Sequence, residues 1–252
     1  GKKTVHPSVE YHPYAENHEN IEIPENLHEN ERILTVLTAT RILENKAGEN
    51  VPLISGIDGN ATLLSQLVGT NNYQSWFIEK PEYVAENLRT TIDACIEYSN
   101  ALIDNGADVI CMSDSMVSPD ILNPELFETF IKPEYQRFCK SVKAPKIIHI
   151  CGDINPILAS LSECGFNGIS VDENVNLESA NRYIRNKPAF IGNISTTETM
   201  LHGTYDQVKE EARKCLENKV DALAPGCGID PKTPFENVKA LVRARNEYYL
   251  MD

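Results

Sequence analysis

The chain has 252 residues and a mass of 28.2 kDa, which is enough for one large hydrophobic core. Apolar residues make up 41% and charged residues 24%, as in ordinary globular proteins, and no apolar run approaches the ~20 residues of a membrane helix. The net charge is -14, from 23 Lys and Arg against 37 Asp and Glu. This acidity argues against nucleic acid as a partner, and the apolar pattern excludes a membrane-spanning protein.

Residues 1–30 are polar, acidic and rich in Pro, His and Asn, so we expect an irregular segment that follows the surface. From about residue 30 onward, short apolar runs alternate with helical periodicity. Each run is apolar throughout, as expected for strands buried on both faces. The runs are Val51–Ser55, Ala107–Met112, Lys146–Ile150, Gly168–Val171, Ala189–Ile191 and Val220–Ala224.

Helices are predicted between the runs, with capping residues or prolines at their starts and glycines at their ends. They are Pro81–Asn105, one that starts at Asn123-Pro124 and is kinked by Pro133, one from Asn155-Pro156 to Gly165, Tyr205–Asn218, and a last one from Thr233. The last helix has the pattern of a capping box, Thr233 with Glu236. It should turn Val238, Leu241 and Val242 inward.

Strand and helix alternating in this way predict a parallel α/β sheet with helices outside, either an open doubly wound sheet or a closed (β/α)₈ barrel. Gly56-Ile57-Asp58-Gly59 follows the first run, where a Rossmann sheet has a different glycine-rich turn. Polar residues follow strand after strand, as at the mouth of a barrel. We therefore predict a single TIM barrel domain over residues 1–252, whose first two βα units are absent and expected upstream of Gly1.

The sharpest motif is Ile148-His149-Ile150-Cys151-Gly152. Because strand side chains alternate, His149 and Cys151 share one face, and imidazole with thiolate suits zinc. Such a pair alone is more often a chance arrangement of core residues. Cys227, within Ala224-Pro225-Gly226-Cys227-Gly228, adds a third ligand at another strand end, and a Cys₂His set leaves a zinc position open for catalysis.

Other polar residues at strand ends are further candidates for the site, and all but one of them have two interpretations. Asp172 and Glu173 are possible oxygen ligands or supports for His149, or else solvated carboxylates. Asp114 is a candidate substrate contact or a helix cap. Asn193 is a second candidate substrate contact.

The remaining cysteines and histidines are predicted to have no chemical role. Core packing is expected for Cys95, Cys139, Cys164 and Cys215, a structural role for Cys111, and solvent-facing loops for His6, His12, His18, His28 and His202. Seven scattered cysteines, an odd number, favour a reducing cytoplasmic compartment.

Several segments together resemble the zinc-dependent methylcobalamin:coenzyme M methyltransferases of the uroporphyrinogen decarboxylase superfamily. They are His149-Ile150-Cys151-Gly152, Asn155-Pro156-Ile157-Leu158, Cys164-Gly165-Phe166, Gly192-Asn193 and Ala224-Pro225-Gly226-Cys227-Gly228. The resemblance runs from about Pro7 to the last helix. Its two cysteine motifs distinguish these enzymes from the decarboxylases, which use no zinc.

This resemblance implies methyl transfer from the methyl-Co(III) of a corrinoid protein to the thiol of coenzyme M, in methanogenesis from methylated compounds. It implies that His149, Cys151 and Cys227 hold catalytic Zn²⁺ and that a corrinoid partner brings methylcobalamin. The family has Glu where Asp172 stands, and that Glu can be the fourth zinc ligand. Asp is one methylene shorter, so ligation by Asp172 stays open. Family members also begin with a further stretch that carries the first two barrel strands.

Three other functions stay open on the sequence. The acceptor is homocysteine or another small thiol in the first, because no sulfonate pocket is readable. The second is tetrapyrrole decarboxylation, which uses the same scaffold without metal and leaves His149, Cys151 and Cys227 unexplained. The third is a non-enzymatic zinc-bearing subunit of a corrinoid complex.

Overall fold

Six parallel strands form one sheet in chain order. The structure, a computed structural model, describes residues 9, 11–16, 19–180, 182–184, 186 and 188–250. The strands are Ile54–Asp58 (β1), Val109–Ser113 (β2), Lys146–Ile150 (β3), Gly168–Val171 (β4), Ala189–Ile194 (β5) and Ala222–Pro225 (β6). Sequential parallel pairing with intervening helices is the pattern predicted for the barrel.

Helices connect the strands and supply most of the core. The α-helices are Glu31–Ala47 (α1), Asn60–Val68 (α2), Thr70–Glu79 (α3), Pro81–Asp104 (α4), Pro124–Leu126 (α5), Lys132–Ser141 (α6), Leu158–Ser162 (α7), Leu177–Ala180 (α8), Tyr205–Glu217 (α9) and Phe235–Leu250 (α10). Two π-helical turns lie at Phe127–Ile131 and Thr196–Leu201. Within the described residues, no helix is both long and apolar enough to cross a bilayer.

The strands are packed more fully on one face than on the other. Ile57, Met112 and Ile148 belong to the buried core, whereas their neighbours Asp58 and Ser113 are exposed or half-buried. The expectation that the strands are buried on both faces is therefore wrong for β1 and β2, and also for β6, in which no residue is fully buried. Side chains alternate between the two faces of a strand. Those on the outer face of β1 and β2 pack in the core, and those on the inner face line a cavity.

Strands β3 and β4 match their apolar runs residue for residue, whereas β1, β2, β5 and β6 differ from theirs by up to three residues at one end or both. The largest error is β1, which begins at Ile54 rather than Val51. Pro52 lies in the three-residue stretch between those two starts and has no N–H for a ladder. The ladder with β2 pairs Ile54 with Val109 and runs on to Asp58.

The predicted helix starts are confirmed where a side chain caps them. Asn123 accepts a hydrogen bond from the Leu126 N–H at 2.9 Å, which starts α5. The hydrogen-bond pattern then changes from π to α just before Pro133, where the helix was expected to kink. Proline has no N–H to donate, so an irregularity of the backbone ladder at this point is expected.

Two predicted helix starts are wrong. The helix expected from Asn155-Pro156 begins only at Leu158. The expected capping box at Thr233 is not formed, because the Thr233 hydroxyl is buried without a hydrogen-bond partner. Val242 is 48% exposed rather than inward-facing. The capping box is instead at the start of α9, and its hydroxyl comes from Thr204.

The described part of the N-terminal segment follows the surface, as expected. The Ile21 N–H donates to the Asn87 side chain at 2.8 Å. The Tyr14 N–H donates to the Leu67 carbonyl at 3.0 Å. His12 and His28 are exposed, whereas the predictions for His6 and His18 lie outside the described residues.

The two threonines give a direct test of the capping assignment. Thr204→Ala removes the acceptor for the Gln207 N–H, so the free energy of unfolding should fall by about 1 kcal/mol. Thr233→Val removes an unpaired buried hydroxyl and should change stability by less than about 0.5 kcal/mol. Urea unfolding of both variants measures the difference. Equal losses would contradict the assignment.

Candidate metal centre

The carboxyl ends of the strands place four side chains in one row across the sheet. Register pairs Asp58 with Ser113, Ser113 with His149, and His149 with Ser170. All four of these residues line a cavity of about 760 Å³. The other lining residues are Gly56, Ile57, Tyr98, Cys111, Ala224, Pro225, Cys227 and Gly228.

Three of the predicted site residues converge at this cavity. The Cys151 sulfur lies 3.5 Å from His149 Nε2 and 3.7 Å from the Cys227 sulfur. One ligand atom from each residue lies within 4.8 Å of the other two. Strand β3 supplies His149, the turn after it supplies Cys151, and the loop after β6 supplies Cys227. The structure therefore brings together all three residues singled out as a zinc set.

Burial sets the protonation of His149 and Cys151. It lowers the pKa of His149, so the imidazole is neutral at pH 7 and offers a lone pair. Burial, and then the adjacent Cys227 thiol, raise the pKa of Cys151. A metal ion therefore has to displace the thiol proton, and its binding is coupled to proton release.

A close backbone approach fixes the loop that carries Cys227. The Gly226 N–H donates to the Ile194 carbonyl at 2.8 Å. A Cβ on Gly226 would lie 2.6 Å from the backbone nitrogen of Glu173. On the other ligand loop, Gly152 directly follows Cys151 and has a φ of +85°, which favours glycine. Both cysteines are thus held by turns that need glycine.

Asp172 lies near the three ligands but is not one of the residues that converge. Its Oδ1 accepts hydrogen bonds from the Asn174 N–H at 3.0 Å and the Asn174 side chain at 2.7 Å. The carboxylate therefore stabilises its own turn. Glu173, the other candidate at this strand end, accepts from the Thr196 N–H at 2.7 Å.

Asp114 is fully buried and does not line the cavity. Its carboxylate accepts hydrogen bonds from the Ala61 N–H at 3.2 Å, the Thr62 N–H at 2.8 Å and the Tyr135 hydroxyl at 3.0 Å. Asp114, the residue directly after β2, thus caps α2, which is the helix-cap interpretation rather than the substrate contact. Burial outweighs these hydrogen bonds and raises the pKa of Asp114 to about 6.

Asn193 also serves the backbone rather than the cavity. Its side-chain amide donates to the carbonyls of Asp172 at 2.9 Å and Val175 at 2.8 Å. The side chain is buried, and it is not among the lining residues. Asn193 therefore holds the turn that begins at Asp172.

Sequence reasoning missed Ser170, whose Oγ lies 3.2 Å from His149 Nδ1. It also passed over Cys111, which lines the cavity but stands apart from the three converging ligands. The signal for both was the alternation of strand side chains. Alternation relates residues within one strand, however, and only the register between strands shows which residues become neighbours.

A parallel α/β barrel-type sheet with a histidine and two cysteines at its carboxyl edge defines the class of protein. The chain belongs to the uroporphyrinogen decarboxylase (URO-D) family, which matches residues 1–248. It is 41% identical to the methylcobamide:CoM methyltransferase MtaA of Methanosarcina barkeri, over 99% of this chain and 74% of the relative.

Solved structures agree with this assignment. A methyltransferase from Methanosarcina mazei superposes with a TM-score of 0.91 at 41% identity, covering 94% of this chain and 71% of that one. A B12-independent methionine synthase from Shewanella has a TM-score of 0.66 at 17% identity, over 86% of this chain and 68% of that one. The second similarity concerns the fold alone.

The glycines around Cys227 offer a matched test of the ligand geometry. Gly226→Ala places a Cβ against the Glu173 backbone, so the loop must shift and zinc affinity should fall by roughly tenfold or more. Gly228→Ala is the control, because a Cβ there has no atom within 4 Å. Competition with a chromogenic chelator measures both affinities. Unchanged affinity in Gly226→Ala would contradict the described loop packing.

Proposed function

We propose that this chain transfers a methyl group from a methylated corrinoid, carried by a partner protein, to the thiol of coenzyme M. In this proposal Zn²⁺ is held by His149, Cys151 and Cys227. The observation that carries it is the convergence of one imidazole and two thiols within 4.8 Å at a cavity. The methyltransferase relatives support the choice of donor and acceptor.

The donor set fits zinc. Cys₂His is a known catalytic zinc set, in which three protein ligands leave one coordination position for water or substrate. The cavity of about 760 Å³ beside the ligands gives a small thiol room to reach that position. Zinc bound there supplies a positive charge that keeps a substrate thiol in its nucleophilic thiolate form at neutral pH.

The chain's own residues set up the transfer. Two cysteine thiolates and a neutral His149 together contribute two negative charges, which balance a divalent cation and leave a bound substrate sulfur electron-rich. The substrate thiolate would form the new bond to the methyl carbon, and the electron pair of the carbon–cobalt bond would return to the cobalt of the partner's corrinoid. The thiol proton would be released to solvent.

The other candidates are separated by what they require. Transfer to homocysteine keeps the metal site and changes only the acceptor. Tetrapyrrole decarboxylation needs no metal and gives the convergence of His149, Cys151 and Cys227 no purpose. A non-enzymatic subunit would bind zinc and transfer nothing.

An anoxic spectrophotometric assay tests the proposal. We expect zinc-loaded protein to remove the methyl-Co(III) absorption band of methylcobalamin when coenzyme M is added. Homocysteine, or no thiol, should leave the band in place. Removal of zinc should reduce the rate by roughly 30-fold, because only ~3% of a free thiol with a pKa near ~8.5 is thiolate at pH 7.

Cys151, one of the three converging residues, and Cys111, which lines the cavity, provide the matched variants. Cys151→Ala should lose both zinc and activity, whereas Cys111→Ala should keep its zinc, because Cys111 is not part of the converging group. Full activity of the zinc-free wild type would overturn the metal mechanism. Loss of the band with homocysteine alone would move the proposal to that acceptor.

A further inference from the structure

Ser170 stands directly beside His149 at the carboxyl edge of the sheet. The β3–β4 register pairs the two residues, and both side chains line the cavity. The Ser170 hydroxyl oxygen lies 3.2 Å from Nδ1 of the imidazole. The other ring nitrogen, Nε2, lies 3.5 Å from the Cys151 sulfur. Nδ1 of His149 therefore faces Ser170, and Nε2 faces Cys151.

The tautomer of His149 decides whether the imidazole binds a metal. A neutral imidazole carries its proton on one nitrogen and its free lone pair on the other. When Nδ1–H donates to Ser170, the lone pair is on Nε2 and points at the cysteines. The opposite tautomer puts a hydrogen on Nε2 and has no lone pair to offer there.

Two other polar residues near His149, Asp172 and Ser113, do not hydrogen-bond to its ring among the described contacts. Asp172 uses Oδ1 for the turn at Asn174, and no hydrogen bond joins Asp172 to His149 in the part of the chain that the structure describes. Ser113 flanks His149 on the other side of the sheet and lines the same cavity. Its hydroxyl has no hydrogen bond to the ring among the described contacts.

We propose that Ser170 is the positioning residue of the metal centre: it accepts the Nδ1–H bond of His149 and so directs the Nε2 lone pair to the metal. This inference rests on the proposed zinc function and adds a residue to it. Hydrogen-bond partners of ligating histidines fix the ring orientation and the tautomer, and their removal costs metal affinity.

Ser170→Ala tests the proposal without a turnover assay. It removes the acceptor, and zinc affinity measured by chelator competition should fall roughly 10- to 100-fold. Ser170→Thr retains the hydroxyl and should restore affinity to within about threefold of wild type. Ser113→Ala is the matched control: it deletes the same hydroxyl on the other flank of His149 and should leave zinc affinity unchanged.

A second readout separates positioning from packing. Nitrogen-15 NMR of the metal-free protein reports which imidazole nitrogen carries hydrogen. Wild type, Ser170→Thr and Ser113→Ala should show Nδ1–H at His149, while Ser170→Ala should show a shift toward Nε2–H. Thermal unfolding of each variant confirms that the comparison is made on folded protein.

The outcomes distinguish this inference from the function on which it rests. If wild type binds zinc and Ser170→Ala binds it equally well, Ser170 has no positioning role and the methyltransferase proposal stands. An equal loss in Ser113→Ala, or no recovery in Ser170→Thr, would also overturn the inference. If wild type binds no zinc at all, the metal-dependent function itself fails, and this inference with it.

Discussion

The hydrogen-bonded register of β3 with its two neighbours is the constraint on which the site depends. It aligns His149 with Ser113 on one side and Ser170 on the other. Side chains of a strand alternate between faces, so a slip of one residue would turn His149 and Cys151 into the core. The apolar residues Ile148 and Ile150, both buried, would then face the cavity. The same packing that stabilises the sheet therefore also fixes the direction of the ligands.

The loop of Cys227 depends on a different kind of constraint. Its position follows from a close contact between two backbones, at Gly226 and Glu173, rather than from a strand ladder. The Asn193 side chain holds the turn at Asp172 by donating hydrogen bonds to the carbonyls of Asp172 and Val175. Polar residues around the ligands are thus largely used to shape loops. Asp58 is the one charged side chain among the lining residues of the described cavity.

The sequence predicted what depends on patterns within one element. The apolar runs located β3 and β4 to the residue, and alternation continued one residue past the end of β3 predicted that His149 and Cys151 lie together. Among contacts between elements, the sequence predicted only that Cys227 joins His149 and Cys151, because strand ends meet at the mouth of a barrel. Ser170 becomes a neighbour of His149 only through the inter-strand register, and Thr233 has the residues of a capping box without its hydrogen bonds. Capping residues in a sequence show what a helix start can use, and tertiary packing decides which of them it uses.

The cap that Asp114 places on α2 has a consequence for folding. The residue before this helix is Gly59, which has no side chain to cap it. The N–H groups of the first turn bond instead to a carboxylate more than fifty residues away. We therefore expect the first turn of α2 to be complete only after β2 has paired with β1. Local order in this region is tied to a long-range contact, so the closure of a large chain loop precedes it. We expect this helix and these two strands to form and to melt as one cooperative unit.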